Sequence, residues 1–415
     1  MERYLAPSLA VDWPGLRVER AEGARVTAAD GRVYLDFVSG MAALPLGHGH
    51  PEVVSAVREQ AERLLHGPLG VFYYDVLLDL AEELAAVLPG GIATFFFGNS
   101  GTEAVEGAVK LARFVTGRPM VVAFRGAFHG RSLGSLALTA SKAFYRHGYL
   151  PLPGVVHSRF PYPLADGLEP EAAVAAALEE LDALFRHVVA PEDVAAIVVE
   201  PVQGEGGYVV PPRGFLEGLR ERADRAGALL VFDEVQTGFG RTGDFFAAQT
   251  FGVTPDVMAL AKAMSSGLPL GATAARPELM ARWPAGTHGT TFGGSPLAAA
   301  AALATLRVLR RERLPERARR LGEAATAELR RLAERHPGLV REVRGPGLMI
   351  GVECASGEVA TRVLRAALER GLILYPAAPD GRVIRFIPPL NVPEADLEEG
   401  LEILGQALDE VAGRP

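Results

Sequence analysis

Short apolar runs rich in β-branched residues alternate with alanine-rich amphipathic stretches through most of the chain. Residues 32–38 follow the turn Asp30-Gly31 and read as a strand. A helix is expected from Pro51 to about Leu65, with Val53, Val54 and Val57 on one side. Another covers Val76–Val87 and is stopped by Pro89-Gly90-Gly91. The apolar run Ala93–Phe97 leads through Gly98-Asn99-Ser100-Gly101 into a helix over Thr102–Val115, where Val105, Val109 and Ala112 recur at helical spacing. Further strands are expected at Met120–Phe124, Ala195–Val199 and Ala228–Phe232, separated by helices over Glu171–Phe185 and Gly214–Ala226. Strands alternating with helices predict an α/β fold with a mostly parallel sheet flanked by helices.

After Pro296 the texture changes. Leu297–Arg335 reads as helical and interrupted at Pro315, followed by strands at Leu348–Val352, Leu372–Tyr375 and Val383–Phe386. Helices are expected over Glu358–Glu369 and from Glu394 onward. This second pattern predicts a smaller α+β domain beginning near residue 310.

Composition narrows the function classes. The 415 residues are 49% hydrophobic and 22% charged, the balance of a globular chain, with a net charge of −8 that speaks against a nucleic-acid binder. A single cysteine, Cys354, excludes an internal disulfide framework and a cysteine-cluster metal site, and no metal is expected. The longest stretch without Asp, Glu, Lys or Arg runs from Trp283 to Leu306, and only Leu297–Leu306 of it is continuously apolar, too short for a membrane span. Glu2, Arg3 and Asp12 break up the N-terminus, so no targeting segment is expected and a cytoplasmic location follows. Only three lysines occur, Lys110, Lys142 and Lys262, against 39 arginines, so each lysine is a candidate for a specific task. Residues 307–344 hold twelve Arg and six Glu, which reads as a solvated helix face with Glu/Arg pairs.

Three motifs carry chemistry. Ser100-Gly101-Thr102 sits at a helix N-terminus, where unpaired N–H groups and the dipole favour a phosphate, although an ordinary capped loop has the same sequence. Asp233 and Glu234 end an apolar run and place carboxylates at the carboxyl end of a strand, the edge where α/β sheets bind ligands. Lys262 stands within eight otherwise apolar residues, and desolvation would lower its pKa toward that of a nucleophilic amine; a lysine snorkelling from a strand end is the plainer alternative. Gly238-Phe239-Gly240-Arg241-Thr242-Gly243 matches a dinucleotide pattern, but five residues separate it from the strand and no acid follows at the required distance, so it is rejected as such. A phosphate cradle, a strand-end acid and a desolvated lysine together are the contacts that pyridoxal 5'-phosphate needs: an anchor, a partner for the pyridine nitrogen and an amine for its aldehyde.

On these residues, and on Leu35-Asp36-Phe37, Gly47-His48-Gly49-His50-Pro51 and Arg385-Phe386-Ile387-Pro388-Pro389, the chain resembles the class III (ω-amino-acid type) aminotransferases of fold type I. The resemblance covers nearly the whole chain. It implies a large cofactor-binding domain at 51–309, a small C-terminal domain at 310–415, and an N-terminal segment at 1–50 that packs with the small domain. It further implies that Ser100, Gly101 and Thr102 hold the phosphate and that Phe128, in Phe128-His129-Gly130, stacks on the ring. Asp233 would meet the pyridinium, Gln236 the ring hydroxyl, and Lys262 the aldehyde carbon. Thr291 would reach the cofactor phosphate of a neighbouring subunit, which implies a homodimer, or a tetramer built from one, with shared active sites. Ser295 stands where the family usually has Asn. For substrate, the resemblance pairs Glu205 with Arg385 as a gate on an α-carboxylate, and offers Arg131 to a distal carboxylate. Phe72 and Tyr73 fall where an aromatic pocket wall is expected. The implied reaction is transfer of an amino group from a terminal amine to 2-oxoglutarate or pyruvate in two half-reactions. An amino-acid racemase or epimerase on the same fold is the alternative, and a non-catalytic relative is disfavoured by Lys262, Asp233 and Thr291 together.

Overall fold

The computed structural model describes residues 15–149 and 152–413, together with residues 4, 6 and 8. Glu2, Arg3 and Asp12 lie outside the described residues. A seven-stranded sheet forms the centre. Its strands are β4 (Thr94–Gly98), β5 (Met120–Phe124), β6 (Val155–Ser158), β7 (Val194–Val199), β8 (Leu229–Asp233), β9 (Val257–Leu260) and β10 (Gly271–Ala275), in the order β4-β10-β9-β8-β7-β5-β6. The strands from β9 to β6 pair in parallel, and only β10 runs against its neighbours β9 and β4. Six carboxyl ends therefore open on one edge.

The sheet is covered on both faces, which is why its strands read as unbroken apolar runs. Side chains alternate across it: Val231, Val257 and Ala259 join one apolar layer with the helix Gly101–Thr116, while Leu230, Phe232 and Met258 join the larger layer on the other side with Phe215 and Leu219 of the helix Phe215–Ala226.

Two four-stranded sheets flank this core. One contains β1 (Val18–Glu22), β2 (Arg25–Ala28) and β3 (Val33–Asp36), with β3 pairing in parallel to β13 (Leu372–Ile373). The other has the order β11 (Val340–Arg344), β12 (Ile350–Cys354), β15 (Val383–Phe386), β14 (Tyr375–Ala377), all antiparallel. The helical run after Pro296 divides into Pro296–Arg311 and Leu314–Arg335. The break falls at Glu312-Arg313, not at Pro315, because proline fits the first turn of a helix, where its missing N–H has no acceptor to lose. The arginines of this region are largely ion-paired: Arg307 and Arg310 with Glu83, Arg311 with Glu52, and Arg320 with Glu394. Among the described residues, no helix is long and apolar enough to cross a membrane.

Candidate active site

Five of the six strands whose carboxyl ends share this edge, β4, β5, β7, β8 and β9, deliver side chains to one cavity of about 500 Å³. After β4 the chain turns at Asn99 and enters the helix Gly101–Thr116, with Ser100 as N-cap. The Ser100 hydroxyl accepts the Glu103 amide at 3.3 Å, and the Glu103 carboxylate accepts the Asn99 amide at 2.6 Å, so the turn is fixed from both sides. The amides of Gly101 and Thr102 have no acceptor within the helix and stay available to an anion. Glycine is required here by space: a Cβ on Gly101 would stand 2.8 Å from the Val235 side chain, and one on Gly271 of β10 would collide with the Ser100 carbonyl. The Thr102 hydroxyl is shared with Ser132 and Ser135.

β8 ends at Asp233, which is buried. Its Oδ2 meets His129 Nδ1 at 2.7 Å and its Oδ1 accepts the Val235 amide at 3.0 Å. Burial opposes protonation of His129, but the Asp233 carboxylate outweighs this and raises its pKa. Each carboxylate oxygen of Asp233 keeps lone-pair capacity toward the cavity. The Oε1 of Gln236 is buried and has no hydrogen-bond partner among the described residues.

Lys262 follows β9 with a φ of +46°, a left-handed conformation unusual for a side chain of its size. It lines the cavity, and among the described residues its ammonium has no hydrogen-bond or ion-pair partner. Desolvation lowers its pKa, against the raising pull of Asp233 and Glu200. Phe128 lies four residues past β5, and its amide donates to Glu200 Oε1 at 2.8 Å. The other oxygen of Glu200 accepts the Gly204 amide at 2.9 Å. Burial pushes the Glu200 carboxyl up to about 7.

The small antiparallel sheet supplies Arg385, on β15 between Gly351 and Tyr375. It is buried, donates through Nε to the Pro376 carbonyl at 3.1 Å, and forms a salt bridge with Glu205 Oε2. The Glu205 backbone is tied to the same sheet, since its carbonyl accepts the Ala378 amide at 3.0 Å. Desolvation alone would raise the Glu205 carboxyl; Arg385 and Lys142 more than reverse that and hold it down at about 2. Arg131 lies at the mouth, 5.2 Å from the Phe128 ring and 4.6 Å from that of Tyr145.

The cavity thus brings together Ser100, Gly101, Thr102, Phe128, His129, Arg131, Glu205, Asp233, Gln236, Lys262 and Arg385. Thr291 is exposed and outside it. Phe72 and Tyr73 are also outside, 57% and 84% exposed, on the segment between the helices Pro51–Arg63 and Asp75–Ala85. That segment meets the Thr291 loop: the His66 and Phe292 rings are 4.9 Å apart, and the Tyr74 hydroxyl donates to the Gly294 carbonyl at 2.5 Å.

Sequence reasoning missed four residues here. Val235 lines the cavity beside Asp233 and Glu200 bridges two of its walls, yet neither carries a local signal beyond its place in an assigned motif. Lys142 reaches Glu205 at 2.7 Å, and the scarcity of lysine was the signal that could have found it. Tyr145, donating to Glu205 at 2.9 Å, had none. The rejected dinucleotide motif serves packing: Arg241 is buried and donates to the carbonyls of Leu348 at 3.1 Å and Pro388 at 2.5 Å, joining the loop after β8 to the C-terminal part.

The donor set fits pyridoxal phosphate. A helix N-terminus kept bare by glycine suits the phosphate, and the free capacity of the buried Asp233 suits a pyridinium N–H. The unpartnered Gln236 oxygen suits a ring hydroxyl, and the unpaired, desolvated Lys262 suits an aldehyde.

Comparison with known proteins agrees with this chemistry. The model of the family described as aminotransferase class-III matches residues 9–408. A 5-aminovalerate aminotransferase of Pseudomonas aeruginosa is 40% identical over 95% of this chain and 93% of its own length. An acetylornithine aminotransferase of Methanopyrus kandleri is 44% identical over 93% of this chain and 92% of its own. The crystal structure of an (S)-enantioselective ω-transaminase from Thermomicrobium roseum superimposes with a TM-score of 0.91 at 34% identity, covering 98% of this chain and 96% of that one. The chain therefore belongs to the class III aminotransferases, pyridoxal-phosphate-dependent enzymes of fold type I.

Proposed function

We propose that this aminotransferase takes the amino group from the terminal amine of an ω-amino acid or simple amine and passes it to an α-keto acid, 2-oxoglutarate or pyruvate. The observation that carries this reading is the buried Arg385–Glu205 pair on the cavity wall facing Lys262 and Asp233. A donor with no α-carboxylate and an acceptor with one must use the same space in turn. An arginine that grips a carboxylate bidentately, and has an internal carboxylate to fall back on, serves both.

Pyridoxal phosphate, when bound, supplies the electron sink that makes a substrate carbon acidic. The amides of Gly101 and Thr102, with Ser100, would hold the phosphate. Asp233, braced by His129, would keep the ring nitrogen protonated, Gln236 would serve the ring hydroxyl, and Phe128 would pack against the ring. Lys262, with its lowered pKa, is free as an amine to take a proton from the substrate carbon and return it. Arg131, with no carboxylate paired to it among the described residues, is open to a distal carboxylate on the donor.

The working unit in this reading is a homodimer. Leu65, Val71, Phe72, Tyr73 and Phe292, each at least 57% exposed, lie on the two segments that meet at the Thr291 loop, and exposed apolar side chains so grouped are of a kind that marks contact surfaces. A second copy would cover it and receive Thr291 at its own phosphate, with Phe72 and Tyr73 along its pocket wall. A location in the cytoplasm belongs to the same reading. A panel of ω-amino acids, diamines and simple amines, each tested against pyruvate and 2-oxoglutarate, tests the function. Amino transfer from terminal amines is expected, and transfer confined to ordinary α-amino donors would overturn it.

A further inference from the structure

Glu205 divides its two oxygens between two sets of partners. Among the described residues, Oε2 faces Arg385 alone, whereas Oε1 is held by Lys142 Nζ at 2.7 Å and Tyr145 Oη at 2.9 Å. Lys142 and Tyr145 come from the short helix Ala143–Arg146 and its N-cap, an element separate from the sheet that carries Arg385. The Lys142 side chain is only 22% exposed, and its ammonium also lies 5.6 Å from the Tyr145 ring. Tyr145 in turn stands edge-on to Phe128 with ring centroids 5.6 Å apart, so this second set packs against a residue that lines the cavity.

We propose that Lys142, supported by Tyr145, is the alternative mooring of the gate: it keeps Glu205 paired when Arg385 turns to an incoming carboxylate. This rests on the reading that Arg385 receives the acceptor's α-carboxylate. Were Arg385 the sole partner of Glu205, releasing it would leave a buried, unpaired carboxylate, which is costly. With Oε1 already held, only the Oε2 contact is exchanged. The charges agree. Two cations surround one anion in the empty gate, and a second anion arriving at Arg385 gives each cation its own partner. Lys142 is thus a positioning residue that favours carboxylate binding without touching the substrate.

The test uses the holoenzyme and two unreactive carboxylates. Propionate offers one carboxylate; glutarate also offers a distal one. Calorimetry should show Lys142→Met weakening both by roughly tenfold or more, the scale of losing a charge-assisted contact. Lys142→Arg should recover most of the affinity, and the binding constant for a primary amine that carries no carboxylate, read from cofactor absorbance, should stay within about threefold. A loss confined to glutarate would mean that Lys142 contacts a distal carboxylate itself, and the proposal would fall. It would fall equally if affinity were unchanged, if the amine donor suffered the same loss, or if wild type bound neither acid. Because binding is read without turnover, failure of the donor panel would refute the proposed function and leave this result standing.

Discussion

Glu205 is enclosed by protein yet ionised, because three donors converge on its carboxylate. Its pKa of about 2 lies below the ordinary 4.5, so folding favours the charged form. That contribution is complete above pH 4.5 and disappears as pH falls through 2. The stability difference between wild type and Glu205→Gln should therefore shrink by up to about 3 kcal/mol between pH 5 and pH 2. Urea unfolding across that range reads it, and a difference that does not change with pH would show that the carboxylate is not held this way. At this scale legibility depended on chemical rarity. Lys262 stood out because an apolar run cannot solvate an ammonium, and Asp233 because it ends a buried strand. Lys142 was equally rare, but its partner is 63 residues away in sequence, and only the fold brings them together. Glu200 reads as an acid before a proline, and nothing local says that it fastens Phe128 to the Gly204 turn.

The elements owe their legibility to period. The buried parallel strands β5, β7 and β8 are continuous apolar runs of the expected length, and the helices between them show an apolar stripe. β1 is not legible because Val18–Glu22 lies almost entirely in solvent, and β2 because Arg25–Ala28 is only four residues long, so its alternation rests on just two buried side chains, Val26 and Ala28. β10 is not legible for a different reason. Its sequence, Gly-Ala-Thr-Ala-Ala, is set by the need for thin side chains next to the phosphate loop and the following helix. The Thr273 hydroxyl donates to the Ala104 carbonyl at 2.8 Å, and Gly271 backs directly onto Ser100. Gly271→Ala should push the loop at 98–101 out of position and displace the amides that face the phosphate. A tenfold or greater rise in the dissociation constant of pyridoxal phosphate is expected, equivalent to about 1.4 kcal/mol. Absorbance after dialysis would measure it, and undiminished cofactor retention would show that β10 does not set the loop.

For the whole molecule, the division of labour is visible in which sheet supplies which group. The central sheet carries Asp233 and Lys262, while the small antiparallel sheet carries Arg385 and anchors Glu205 through Ala378. The α/β class was legible from strand–helix alternation, but the meeting of Arg385 with Glu205, 180 residues apart, was reached through resemblance and not through any pattern in the chain. Sharing of sites between subunits has its own test. Homodimers of Lys262→Ala and of Thr291→Asp should both be inactive, and mixing them puts both lesions in one site of each mixed dimer. Random exchange should then restore roughly a quarter of wild-type activity, whereas confirmed exchange without recovery would place Thr291 at its own chain's site. The central claim, that one arginine serves a keto acid in one half-reaction and retreats onto Glu205 in the other, is tested most directly by single-turnover rates of Arg385→Ala, with each half-reaction followed by cofactor absorbance. The keto-acid half should slow by roughly 100-fold, the scale of a lost charged hydrogen-bond pair, while the amine half changes only a few-fold. Equal losses in both halves would contradict the account and leave the Arg385–Glu205 pair as a structural tie.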